Sequence, residues 1–145
     1  MRKVLVLGSV CVAVLHGSSH AGSALDKPAF TATPAELLAA AKSPSPGDWP
    51  VRILRDDTEI SFDERGRATR TWRMVFVIQT QAGVDDWGTL STAWSPFYQD
   101  KPVVRARVIS PKGTVAELDG SLVSDAPLVA TSATVFSDRR ALHVP

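Results

Sequence analysis

The amino-acid sequence predicts a mostly β protein: an antiparallel β-sandwich preceded by a signal peptide and one short helix. Two observations carry this prediction. Apolar and polar residues alternate from residue 51 onward, as they do in strands with one buried face. Glycine-containing turn sequences separate the alternating runs. We divide the chain into a signal peptide (1–21), a helix with a Pro/Ser/Gly linker (22–47) and a β domain (48–145).

The N-terminal segment has the features of a cleaved secretory signal peptide. Arg2 and Lys3 precede an apolar run from Val4 to Leu15, and small residues lead to a cleavage site after Ala21 or equally near Ser23 or Ala24. Because a membrane-spanning helix needs about 20 apolar residues, we expect no stable membrane anchor once this segment is removed. The predicted location is the periplasm or the extracellular space.

A capping box marks the start of the one predicted helix. Thr33 can accept from the third helical amide, and Glu36 can reach back to the cap. Pro34 occupies the first helical position, where its missing N–H costs nothing. Residues 37–42 favour helix, and Ser43–Gly47 ends it. A helix this short is not stable alone, so we expect it either to dock on the β domain or to fray.

The first hairpin is predicted from two alternating runs around a turn. Thr58, Ile60 and Phe62 alternate with polar residues, and Asp63–Gly66 fits a type I turn. A return strand then spans residues 67–79. It places Val75 and Val77 on one face and Trp72, Met74, Phe76 and Ile78 on the other. Of these, Trp72 and Phe76 are expected to be core residues.

A second hairpin follows around Ser110–Gly113, which also fits a type I turn. Its predicted strands are Val103–Ser110 and Thr114–Leu118, with Arg105 and Arg107 pointing outward. The inward positions are Val104, Ala106 and Val108. Weaker strand signals occur at Ser132–Phe136 and Leu142–Val144, and the stretch between the two hairpins is predicted to be irregular.

Signal-peptide removal leaves little catalytic chemistry. It removes Cys11, His16 and His20, so the exported part has His143 as its only histidine and has no cysteine. A cysteine nucleophile and an ordinary structural zinc site are thereby excluded from that part. We predict no catalytic residue, no metal and no cofactor, and hence that this chain is not an enzyme.

A serine triad is the remaining catalytic alternative, and we disfavour it. Ser137, Asp138 and His143 are close in sequence, but no nucleophile elbow surrounds Ser137.

The net charge of the chain also limits which partners it can bind. The chain has 16 Lys+Arg against 15 Asp+Glu, and loss of Arg2 and Lys3 leaves 14 against 15. Such a near-neutral chain has no electrostatic basis for binding nucleic acid.

Three segments together carry a family resemblance. They are the strand that ends Val75-Phe76-Val77-Ile78-Gln79, the stretch Arg105-Ala106-Arg107-Val108-Ile109-Ser110-Pro111-Lys112-Gly113, and Phe136-Ser137-Asp138-Arg139-Arg140. The region from residue 48 to 145 resembles DUF3857, an uncharacterised β-rich domain of exported bacterial proteins. The resemblance implies a transglutaminase-like domain, with a Cys-His-Asp centre, as a partner in cis or in trans. Because the sequence ends at His143-Val144-Pro145, inside a predicted strand, we expect an incomplete sandwich.

Two functions remain open. The first is a non-catalytic exported module that packs against or positions a transglutaminase-like domain not present in this chain. The second is a stand-alone module that binds cell-envelope glycan or peptide. For either function, aromatic and basic side chains are the candidate interaction surface, although large aromatics also fill cores. These candidates are Trp87, Trp94, Phe97, Tyr98, Arg105 and Arg107.

Overall fold

The computed structural model describes residues 3–7, 23–44, 47–128 and 138–145. The strands within these ranges are β1 (Lys3–Leu7), β2 (Val51–Phe62), β3 (Ala68–Ile78), β4 (Leu90–Trp94), β5 (Ala106–Ile109), β6 (Val115–Glu117), β7 (Ser124–Pro127) and β8 (Arg140–Val144). The helices are α1 (Pro34–Ala41), α2 (Gln81–Trp87) and a 3₁₀ turn (Gly120–Leu122). The prediction of a mostly β fold with an early short helix is confirmed.

The strands form two antiparallel sheets. The larger sheet has the strand order β2-β3-β1-β5-β6, and the smaller has the order β4-β8-β7. Every described strand pair is antiparallel. Residues of both sheets and of α2 line one mostly apolar cavity of about 230 Å³. The two sheets and α2 therefore border one pocket that is partly open to solvent.

The β2–β3 hairpin forms as predicted. Its turn is closed by a hydrogen bond of 2.9 Å from the Gly66 N–H to the Asp63 carbonyl. Gly66 has φ +74°, a left-handed conformation that glycine adopts without strain. One carboxylate oxygen of Asp63 accepts from the backbone N–H groups of Arg65 and Arg67, at 2.9 Å each. The turn sequence thus sets the register of the longest strand pair.

The second hairpin is shorter than predicted. Its first strand begins at Ala106 rather than Val103, and its return strand is Val115–Glu117. The turn is confirmed, with a 2.9 Å hydrogen bond from the Gly113 N–H to the Ser110 carbonyl. Of the two weaker strand signals, Leu142–Val144 lies in β8, whereas Ser132–Phe136 lies outside the described residues.

Helix α1 docks on one face of the larger sheet. Both halves of the predicted capping box form: the Thr33 side chain accepts from the Glu36 N–H, and Glu36 accepts from the Thr33 N–H at 2.8 Å. The helix is stabilised by packing, as its length requires. Its buried side chains belong to a core formed by Ala32, Leu37, Ala41, Val75, Val77 and Ile109.

The segment before α1 is held by arginines that donate to backbone carbonyls. Arg55 donates to Leu25 O at 2.7 Å, and Arg73 donates to Lys27 O at 2.7 Å. A third arginine, Arg107, donates to Ala32 O at 2.6 Å. Residues 25–32 therefore lie over the sheet on a row of charged donors, which make stronger hydrogen bonds than neutral ones.

The opposite face of the sheet carries the second core. Met74, Phe76 and Ile78 are buried there, with Val51, Val84, Trp87 and Leu90 packed against them. Trp87 meets Phe76 edge to face, with 5.0 Å between ring centroids. Alternation along β3 places its apolar residues on two faces, as predicted, and the structure shows a core on each face. Helix α2 was not predicted, and it shows that the stretch between the hairpins is not wholly irregular.

Strand β1 comes from the segment predicted to be a signal peptide. It lies between β3 and β5, antiparallel to both. Leu5 is the Cα partner of Phe76 on one side and of Val108 on the other. Residues 3–7 therefore lie at the centre of the larger sheet.

Candidate interaction surface

The outer part of the β2–β3 hairpin carries exposed apolar side chains. We call residues 58–72 the hairpin arm. Ile60, Phe62 and Trp72 in this arm are 56%, 72% and 38% exposed. Thr58 pairs with Trp72, Ile60 with Arg70 and Phe62 with Ala68, so the exposed side chains lie on one face of the arm. Exposed apolar patches of this kind mark interaction sites.

The apolar face of the arm continues the second core beyond the elements that cover it. Trp72 is two residues from Met74 and shares its face, but Met74 is buried and Trp72 is not. The prediction that Trp72 belongs to the core is therefore wrong. Its indole Nε1 instead donates to a carboxylate oxygen of Asp56 at 2.7 Å. That hydrogen bond fixes the ring while leaving apolar surface exposed.

An ion-pair cluster stiffens the base of the arm on its other face. The Asp57 carboxylate accepts from Arg55 Nε at 2.9 Å and from Arg73 Nε at 3.0 Å. Burial raises the pKa of Asp57, but the hydrogen bonds and charges of the two guanidinium groups outweigh it, and the pKa lies below its ordinary value. Arg55 also contacts Asp26 at 2.8 Å. The arm is thereby tied to the segment that precedes α1.

The predicted aromatic surface divides between the interior and the exterior. Trp87 is half-buried against Phe76 and lines the cavity. Trp94 is half-buried at the end of β4. Phe97 and Tyr98 are 89% and 74% exposed in the turn that follows. Of the four predicted aromatics, Phe97 and Tyr98 alone form an exposed pair.

The two arginines of the predicted interaction surface differ in their exposure to solvent. Arg105 is exposed, and its guanidinium carbon lies 4.3 Å from the centroid of the Phe30 ring. Arg107 is only 8% exposed, so the prediction that it points outward is wrong. It lies on a strand with both faces covered, where its guanidinium stacks 5.5 Å from the same ring. Burial lowers the pKa of Arg107, and Glu117 opposes that shift.

The groups weighed for catalysis are not brought together in the described parts of the chain. His143 is exposed on β8, and Asp138 accepts from the Phe97 N–H at 2.9 Å. Ser137 lies outside the described residues. No cluster of His, Cys, Asp or Glu suited to a metal ion occurs in the described ranges. Neither described helix has the length and hydropathy needed to cross a membrane.

Sequence reasoning found the residues of the hairpin arm but not their exposure. Alternation placed Ile60, Phe62 and Trp72 on one apolar face, and it cannot show how far covering elements extend along that face. The available signal was length. A hairpin of 12 and 11 residues per strand is longer than the seven-residue α2, which packs on this face, can cover.

These features define an antiparallel β domain with a docked helix and an exposed apolar hairpin. A family model described as a domain of unknown function with a solved structure, DUF3857, matches residues 64–145, and the chain belongs to this family. The resemblance seen in the sequence is thus confirmed. Comparisons with curated proteins and with solved structures give no match.

Proposed function

We propose that this chain is a non-catalytic exported β module that packs against and positions a transglutaminase-like domain. The observation that carries the proposal is the hairpin arm, whose apolar residues Ile60, Phe62 and Trp72 are exposed on one face. Protein interfaces are built around aromatic and apolar anchors of this kind. The ion pairs of Asp57 hold the arm in place and so reduce the ordering cost of association.

The partner would be a domain whose Cys-His-Asp catalytic centre acts on peptide or amide bonds. It would be encoded in the same reading frame or nearby. The first experiment is to sequence past the codon for Pro145 in the genome and the transcript. An open frame that soon encodes Cys, His and Asp in a transglutaminase-like context would supply the partner in cis. Otherwise the nearest encoded transglutaminase-like domain is the partner to test in trans.

The decisive test is calorimetric binding of that domain to arm variants. Ile60→Ser with Phe62→Ser should weaken binding at least about 30-fold, the scale for loss of apolar anchors. The matched control changes the opposite face of the same arm, Glu59→Ser with Thr69→Ser, and should bind as the parent chain does. Equal affinity for both double variants would exclude the arm as the interface.

Export is part of the proposal and has its own test. When the protein is produced with its own N-terminus in a bacterium, mass spectrometry of the periplasmic fraction should show a chain that begins after Ala21 or near Ser23 or Ala24. A chain that stays in the cytoplasm with residues 1–21 intact would contradict export.

A second candidate function rests on Phe97 and Tyr98, which are exposed side by side in the turn after β4. Such a pair can stack on a sugar ring or anchor a peptide. Titration with cell-envelope glycan fragments, followed by tryptophan fluorescence, would test this candidate. A response that disappears in Phe97→Ser with Tyr98→Ser and survives in the Ile60 and Phe62 variant would favour a stand-alone binding module.

A further inference from the structure

The apolar face of the hairpin arm extends beyond the arm towards the body of the sheet. Ile53 lies on this face through its pairing with Phe76, and it is 48% exposed. The register shifts between Ile53 and Arg55, which keeps Ile53 on the same face as the exposed residues of the arm. We call the face from Ile53 to Phe62, with Trp72 beside it, the apolar strip.

Two exposed charges of opposite sign interrupt this strip. Asp56 pairs with Met74, and Arg70 pairs with Ile60, so both charged side chains lie on the apolar face. Asp56 accepts from the Trp72 indole, but neither charge has an ion-pair partner within the described ranges. They cannot pair with each other, because four residues of strand, about 13 Å, separate their levels along the arm.

Trp72 lies at the midpoint between the two charges. Its partner Thr58 is two residues from Asp56 along β2. Thr58 is also two residues from Ile60, which is the partner of Arg70. Two strips stacked face to face in opposite directions, about a two-fold axis at Trp72, therefore place Arg70 of each copy level with Asp56 of the other. The strip is self-complementary in charge.

The same arrangement matches the apolar residues. Phe76, the partner of Ile53, is four residues from Trp72, and Ala68, the partner of Phe62, is four residues from it in the other direction. Phe62 of each copy therefore comes level with Ile53 of the other. Sheets stacked face to face lie about 10 Å apart, and a long arginine side chain can cross that distance to make a charge-assisted hydrogen bond with a carboxylate.

We propose that the free module forms a two-fold dimer through the apolar strip, with Arg70 of each copy paired with Asp56 of the other. A second copy fits the strip because it supplies both the opposite charges and the matching apolar residues. Interfaces combine an apolar centre with complementary charges that fix the register. The inference goes beyond the proposed function, because it concerns the module without its partner domain. It adds that self-association covers the arm until that domain displaces the second copy.

The test measures the oligomeric state of the full chain, produced without export, by sedimentation velocity over a range of concentrations. The parent chain should become dimeric as its concentration rises. Arg70→Asp and Asp56→Arg should each raise the dissociation constant at least about 100-fold, because each homodimer then contains two pairs of like charges. The matched control is Glu59→Arg on the opposite face of the arm, which should dimerise as the parent chain does.

An equimolar mixture of the two variants is the decisive measurement. Arg70→Asp carries two acidic groups on its strip and Asp56→Arg carries two arginines, so a mixed dimer contains two pairs of opposite charge. The mixture should therefore dimerise although neither variant does so alone, and this recovery also shows that both variants are folded. Asp56→Lys replaces Asp56→Arg if the latter lacks the circular dichroism spectrum of the parent chain.

Three results would overturn the inference. A parent chain that stays monomeric up to the limit of its solubility would leave the strip to the partner domain alone. Variants that dimerise as the parent chain does would place the dimer contact on another surface. A mixture of folded variants that stays monomeric would show that Arg70 and Asp56 do not meet between copies.

Discussion

Asp57 faces Arg73 across the β2–β3 hairpin as its direct Cα partner, and the arginine donates from Nε at 3.0 Å and from Nη2 at 3.3 Å to the two carboxylate oxygens. Arg55 shares the same carboxylate at 2.9 Å. One acidic side chain thus holds two cations at the point where the hairpin leaves the body of the sheet. The arm protrudes from this point.

Replacement of Asp57 tests this arrangement. Asp57→Asn should lower the free energy of unfolding by about 1–3 kcal/mol at neutral pH, because two guanidinium groups lose a charged acceptor. Urea unfolding measures the effect. The control, Asp86→Asn on the exposed side of α2, should change stability by less than about 0.5 kcal/mol. Equal stabilities for the two variants would show that the cluster contributes nothing.

Acid should unfold the protein partly through Glu36. Its hydrogen bonds with Lys27 and Thr33 lower its pKa from 4.5 to about 2. A carboxylate with a lowered folded pKa stabilises the protein fully above its unfolded pKa, and that contribution is lost as pH falls through the folded value. Stability followed by urea titration should therefore decline between pH 4.5 and about 2. Glu36→Gln should flatten the decline in this window, and an unchanged slope would contradict the cause given.

Phe76 contacts Trp87 edge to face in the second core, so replacing Phe76 tests how much this core contributes to the free energy of unfolding. Phe76 is fully buried, so Phe76→Ala should cost about 3–5 kcal/mol from lost burial and the cavity left behind. Phe97→Ala removes the same side chain from an exposed turn and should cost less than about 0.5 kcal/mol. Thermal and urea unfolding of both variants, measured side by side, check the contrast.

Gly83 in α2 should tolerate no side chain, although alanine is the better helix former. A Cβ atom there would lie 2.3 Å from the Pro50 carbonyl oxygen. Gly83→Ala should therefore destabilise by about 1–3 kcal/mol through overpacking. Gly120→Ala is the control, because nothing lies within 4 Å of its added Cβ, and it should be neutral. A stabilised Gly83→Ala variant would mean that α2 moves freely away from β2.

Local patterns predicted local structure well in this chain. The two turns, the capping box and the alternation of Met74 to Ile78 depend on residues a few positions apart, and each forms as expected. Arg107 was predicted to point outward and Trp72 to lie in the core, and both predictions are wrong. Whether each side chain is buried depends on which distant segment covers its strand. For Arg107 that segment contains Phe30 and Ala32.

The site was predicted in part for the same reason. Trp87 and Phe97 look alike as loop aromatics in the sequence, but α2 turns Trp87 towards Phe76 while Phe97 stays in solvent. The pairing of Lys3–Leu7 with β3 and β5 was not predicted at all. A short apolar run after two basic residues fits a signal peptide, and a strand at the centre of a sheet can have the same composition.

The three arginines of the larger sheet hold the segment before α1 mainly through its main chain, and among the described residues of that segment only Asp26 and Phe30 add side-chain contacts with them. Arg55, Arg73 and Arg107 each donate to a main-chain carbonyl between residues 25 and 32, and every residue type provides that acceptor. Exposed positions in this segment other than Asp26, which pairs with Arg55, can therefore diverge among related chains while we expect the three arginines to stay the same. An alignment would then show conserved cations facing a segment of variable sequence, held in one conformation.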